Sequence, residues 1–240
     1  EQRIDILQTR RGNPDLKLFR STIQDFNAVF STGICSIDAL VSYAYEKNPI
    51  MESVIYEEGM FIHTYENQKS FQHLAVEVTF KIKPWKDHIS LSVTPGINRY
   101  ISTGNNYLHT YTLKELRINL DASYKNWLLS FMTITPPNRY VYGEQLLKGD
   151  LMHTLMIGYK QPAWSIMAGI HNPFMKTYRS ENANWSALNP VKSDIHSTNM
   201  SNTIVVKLNF NLNFGRQYKG ANKRIQNIDT DSGILQGTKE

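Results

Sequence analysis

The chain has 240 residues, of which 41% are hydrophobic, 11% aromatic and 20% charged, with a net charge of +5 and a pI of about 9.1. No run approaches the eighteen or so consecutive apolar residues of a membrane helix, and mean hydropathy is −0.41, a value that alternating barrel strands also average to. The positive charge is scattered, without the basic stripe and interleaved aromatics of a nucleic-acid binder, so that class is excluded.

The opening EQRIDILQTRR has no initiator Met and no basic-then-apolar leader. The expectation is a chain whose leader has been removed, or a piece of a longer protein. A first strand is expected over residues 22–32, closed by a short turn at Gly33-Ile34. Cys35, the single cysteine, has no internal disulfide partner and reads as a packed thiol. Ile37, Ala39, Val41, Tyr43 and Tyr45 then recur at every second position, the period of a strand with one apolar face. A longer, polar reversal follows over residues 47–68, with Glu57 and Glu58 beside Gly59 at a hairpin tip.

Downstream the alternation sharpens. Leu74, Val76, Val78, Phe80 and Ile82 share one face; so do Ile89, Leu91, Val93, Pro95 and Ile97, and then Leu116, Ile118, Leu120, Ala122 and Tyr124. Pro95 cannot donate to a ladder, and a bulge is expected there. Rougher strands are expected over residues 127–142, 151–160 and 164–170, and a last clean one over 203–214, with Ile204, Val206, Leu208, Phe210, Leu212 and Phe214 on one side. Helical period fails for this last stretch, because Val206, Phe210 and Phe214 would fall opposite Ile204, Leu208 and Leu212. In the four clean strands the apolar face carries no charge, while the other carries Glu77, Lys81, Lys83, Glu115, Arg117, Asp121 and Lys207.

About nine strands and no helix are therefore expected. Their connections alternate: 33–34, 84–87, 125–126 and 161–163 are short, whereas 47–68, 102–109, 143–150 and 171–202 are long and polar. Trp85, Trp127 and Trp164 sit at the short turns, where an indole suits a membrane interface. Short turns at one end and long loops at the other are the pattern of an up-and-down antiparallel outer-membrane barrel. On this reading Val76, Val78, Phe80, Leu91, Val93, Ile118, Leu120, Leu208, Phe210 and Leu212 face lipid. Glu77, Lys81, Arg117, Asp121, Lys207, Asn209 and Asn211 face the lumen.

Particular words carry a resemblance. RRGNPDLK, residues 10–17, resembles the GNPxLKP segment that precedes a descending strand in TonB-dependent receptor barrels, with Leu18 where proline is usual. Residues 48–68 look like a long hairpin of the same barrels, ending in their YEN signature at Tyr65, Glu66 and Asn67. The ending NFGRQYKGANKRIQNIDTDSGI, residues 213–234, is similar to the tail of the Bacteroidetes-type outer-membrane barrel family related to these receptors. The resemblance runs along nearly the whole chain, and the tail is its most specific part. It implies a barrel of about 22 strands, of which residues 1–215 would be the C-terminal part, followed by a periplasmic tail over 216–240. The implied partners are outer-membrane lipid, the remaining strands, an N-terminal plug and TonB. The implied activity is uptake of a bulky nutrient such as a siderophore, glycan or peptide. Neither a plug nor a TonB box has a counterpart in these residues.

The alternatives are a soluble β-sandwich carbohydrate-binding module, and a small, non-transporting structural barrel. No GxSxG, HExxH, P-loop or GxGxxG is present, so an enzyme is not expected. The seven histidines never take metal-ligand spacing, DTDSG lacks a third oxygen ligand at Gly233, and no cofactor or metal is expected. Tyr178, Arg179 and Trp185, in the long stretch 171–202, are the candidate ligand contacts.

Overall fold

The computed structural model describes residues 2–85 and 88–211. The strands are β1 (Gln2–Arg3), β2 (Gln8–Arg10), β3 (Arg20–Ser31), β4 (Cys35–Lys47), β5 (Ile50–Glu57), β6 (Met60–Asn67), β7 (Ser70–Trp85), β8 (Ile89–Thr103) and β9 (Leu108–Tyr124). They continue with β10 (Trp127–Ile134), β11 (Tyr140–Tyr142), β12 (Gln145–Gly149), β13 (Met152–Lys160), β14 (Trp164–His171), β15 (Tyr178–Asn184), β16 (Val191–Ser197) and β17 (Thr203–Phe210). No helix occurs among the described residues.

Nine strands make one antiparallel sheet in the order β3-β4-β7-β8-β9-β10-β13-β14-β17, which is also chain order. The register explains why these segments pair: it keeps the two-residue alternation in phase from strand to strand. One row of cross-strand partners reads Cys35, Ile82, Leu91, Leu120, Phe131, Leu155, Ile170 and Ile204, apolar across eight strands. The adjacent row, one residue along each strand, reads Ser36, Lys81, Ser92, Asn119, Met132, Thr154, His171 and Thr203. A slip of one residue in any pair would mix the two faces.

The expected bulge at Pro95 is not there. Pro95 stays opposite Leu116, and the β7–β8 register is the same on both sides of it. The shift falls instead between Ile82 and Trp85, where Pro84 stands. A missing N–H is tolerated at Pro95 without an extra residue, whereas Pro84 lies near the strand end, where the ladder can give way.

The long connections are also corrected. Seventeen strands are present among the described residues rather than about nine, because most of the long segments are themselves sheet. The β5–β6 hairpin turns at Glu58 and Gly59, both at positive φ, and β2 adds to it in parallel. The strand expected over 127–142 breaks at Pro136-Pro137 into β10 and β11. The latter joins β12, β15 and β16 in a separate four-stranded sheet. The reversal expected over 102–109 tightens to residues 104–107, since Ser102 pairs with His109 and Thr103 with Leu108.

The buried core lies at this elaborated end. Val141, Leu146 and Ala183 pack on Tyr100 and Tyr111, which stand on the same side of β8 and β9 as Asn98 and Glu115. The β11–β12–β15–β16 sheet thus folds over the polar face of the large sheet, not its apolar face. Val76, Leu91, Ile118 and Phe210 do not converge in an enclosed core. Val76 and Phe210 are 37% and 65% exposed, while Leu91 and Ile118 are half-buried. A β-sandwich would bury these faces against each other. No closed barrel is formed either: β3 and β17 end the sheet at opposite edges, each paired on one side only among the described residues.

Candidate functional site

Two surfaces stand out. The first is the apolar face of the large sheet. Val76, Val78, Phe80, Leu91, Val93, Ile118, Leu120, Leu208 and Phe210 all lie on it, while Glu77, Lys81, Arg117, Asp121, Lys207 and Asn209 lie on the opposite one. Asn211 follows β17 and donates its amide to the Pro162 carbonyl at 3.3 Å; Leu212 and the tail from 216 lie outside the described residues.

At the short-turn end this face is bordered by rings. Trp85 and Tyr124 have centroids 6.4 Å apart, Trp127 and Tyr159 5.2 Å, and Tyr159 and Trp164 6.0 Å. Trp127 is the register partner of both Tyr124 and Tyr159, so three neighbouring strands line their rings up at one level. The arrangement gives an uncharged band edged by amphipathic rings.

The second surface is a cleft of about 590 Å³ at the elaborated end. Its walls come from the β5–β6 hairpin, the tight 104–107 turn, the start of β9, and residues 144 and 185–188 beside the small sheet. The turn stacks two rings, Tyr107 on His109, with centroids 4.9 Å apart and planes 16° from parallel. Trp185 meets His109 edge-on at 5.0 Å, and is anchored by its backbone N–H, which donates to the Glu144 carbonyl at 2.8 Å. Gln68, buried, accepts the Asn105 backbone N–H at 2.8 Å and holds the turn against the hairpin.

Met51 joins the parts from below. It is buried, and the Tyr107 hydroxyl donates to its Sδ at 3.4 Å, with the Ser102 hydroxyl 3.8 Å away. Burial, with the carboxylates Glu144 and Glu66 adding to it, pushes the Tyr107 phenol up to about 12, so it stays neutral. Burial also raises the Glu144 carboxyl above its ordinary range, against the lowering effect of its hydrogen bond with Ser186.

Of the three expected ligand contacts, only Trp185 lines this cleft. Tyr178 is buried, with its hydroxyl 2.6 Å from where a Cβ on Gly149 would stand, so it fills space that glycine leaves. Arg179 is exposed and donates to Asp194 from Nε at 3.1 Å and Nη2 at 2.9 Å, in a cross-strand ion ladder with Glu181, Lys148 and Lys192. Tyr107, His109, Glu66 and Glu144 join Trp185 unforeseen. The alternation of Tyr107 and His109, which puts both rings on one side, was the available signal.

The crevice around Gly96, between Glu77, Glu115 and Arg117, is only about 10 Å³, too small for a ligand. No group of three or more His, Cys, Asp or Glu fit to hold a metal occurs among the described residues. Compared with known proteins, the chain matches no family, no curated protein and no solved structure.

Proposed function

We propose that this chain is the C-terminal part of the wall of a TonB-dependent receptor-like outer-membrane barrel, which takes up a bulky nutrient when complete. The observation that carries the reading is the apolar row through eight strands, uncharged and left uncovered by the rest of the chain. In water such a continuous patch would be a severe liability; in a bilayer it is what a barrel wall requires. The ring border at the short turns supports the same orientation, with those turns on the periplasmic side and the elaborated end outside. The resemblance of residues 10–17 and 48–68 to receptor barrels supports the family, and with it a plug, TonB as energy source, and further strands that complete the wall.

The test uses the full parent protein in bilayers containing brominated lipids, with single tryptophans placed at Leu155 and Met156 in a background whose native tryptophans are phenylalanine. Quenching at Leu155→Trp and not at Met156→Trp is expected, since neighbours on a strand point to opposite sides. Two unquenched sites would remove the membrane reading.

A further inference from the structure

The cleft at the elaborated end has an unusual balance of hydrogen-bonding groups. Several of its donors are engaged, the Tyr107 hydroxyl by the Met51 sulfur, the Asn105 backbone N–H by Gln68 and its side-chain amide by the Asn67 carbonyl at 3.3 Å, and Ser186 by Glu144, while Trp185 and Asn106 add an indole N–H and an amide to the lining. Neither of its carboxylates has an ion-pair partner among the described residues. Glu66 and Glu144 line it, both close enough to act on the Tyr107 hydroxyl, and ionised carboxylates only accept. The Nε2 atom of His109 is enclosed and has no hydrogen-bond partner among the described residues. No Lys or Arg lines the cleft, in a chain whose net charge is +5.

Two carboxylates with no fixed cation, beside three rings, form a site complementary to a group that only donates and carries positive charge. An ammonium or guanidinium has donors and no acceptor, is drawn to ring faces, and is drawn to Glu144 most strongly because that carboxylate is partly shielded from water. An anion would meet two like charges and find no basic residue. A neutral sugar could hydrogen-bond to the lining but would leave the two carboxylate charges uncompensated. A volume of about 590 Å³ lies in the range of sites that enclose a small organic ligand.

We propose that the cleft between Tyr107, His109, Trp185, Glu66 and Glu144 binds the cationic side chains of a basic peptide. Placing the cleft on the outer side of a receptor rests on the membrane reading; its binding chemistry does not.

The test is isothermal titration calorimetry of the full parent protein, in detergent and in nanodiscs, with trilysine, triglutamate and maltotriose as probes. Saturable binding of trilysine alone is expected, weakened about tenfold by Glu144→Gln, as for loss of one charge-assisted contact. It should also weaken as salt rises from low to physiological strength. Trp185→Phe keeps a ring and should weaken trilysine binding less than Trp185→Ala does.

Absence of trilysine binding, or trilysine binding indifferent to both Glu144→Gln and Glu66→Gln, would overturn the proposal. Binding of maltotriose in preference to trilysine would make the cleft a saccharide site and overturn it equally. Because calorimetry in detergent needs no bilayer, failure here leaves the brominated-lipid result standing, and the reverse also holds.

Discussion

Gly143 faces Met51 at the junction of the hairpin and the small sheet: a Cβ on Gly143 would meet the Met51 sulfur at 3.2 Å, and the glycine backbone sits at φ +62°. The backbone conformation favours glycine there, and any side chain would press on the Met51 sulfur. Met51 is consequently the point at which hairpin, 104–107 turn and small sheet touch. Met51→Ala is expected to cost about 2–5 kcal/mol, the range for truncating a buried Met. The loss should be local, seen as faster amide exchange over residues 50–67 and 140–149 while β13, β14 and β17 keep their protection. Uniform loosening of all strands would show that Met51 is not a junction.

Leu208 and Phe210 lie on the apolar face, and Asn209 between them on the other. They pair with Ile166 and Trp164 at the ring border, so Arg at Ile204, on the same face and further from the rings, should cost about 2–4 kcal/mol near a bilayer midplane, Leu208→Arg less and Asn209→Arg least. Urea titration of folding into bilayers measures the difference. Equal losses at all three positions would show that the alternation does not separate lipid from lumen.

The two edges of the large sheet yield a third expectation. Unpaired N–H and C=O groups cost several kcal/mol each in hydrocarbon, so β3 and β17 need partners if the sheet spans a membrane. In a Cys35→Ser background, cysteines at Phe26 and Val206 should not cross-link within one chain of the parent protein if, as proposed, further strands complete the wall between them. Efficient cross-linking would mean that β3 and β17 pair with each other and the nine strands close alone.

Glu144 sets a pH dependence of known sign. Burial raises its folded-state pKa above the ordinary 4.5, so the folded form prefers the proton. At neutral pH the charged carboxylate destabilises the cleft. That cost is relieved as pH falls through the raised value and is gone below the unfolded value. Protease resistance of residues 140–149 should therefore increase on mild acidification, and Glu144→Gln should abolish the increase. A wild-type profile matching the variant's would contradict the assignment.

The large sheet was legible because its strands meet two different surroundings. Val76 beside Glu77, or Leu208 beside Asn209, reports a boundary between apolar and polar faces at every step. β15 and β16 were missed because they report no such boundary: YRSENAN and VKSDIHS carry polar residues on both sides, with Tyr178 and Ala183 as the buried apolar exceptions, and much of their cohesion comes from the ladder and from ion pairs such as Arg179 with Asp194. Arg179 looked like a ligand contact for the same reason, since sequence does not show that its charge is already matched. Trp185 was found because an exposed indole in a polar stretch is conspicuous. Glu144 and Glu66 were not, as only folding brings residues so far apart in sequence to one cleft.

Strands β7, β8 and β9 are 16, 15 and 17 residues long, against the nine to eleven that cross a bilayer at a tilt. On the membrane reading, the surplus rises beyond the lipid as continuous ladder, and the hairpin and small sheet brace it. The rim around the cleft is then stiff scaffolding instead of a fringe of loose loops. Its conformational entropy is surrendered when the chain folds, not when a ligand arrives. Recognition at such a rim should be fast to form, with little rearrangement after encounter, and its selectivity should come from charge and shape held in advance.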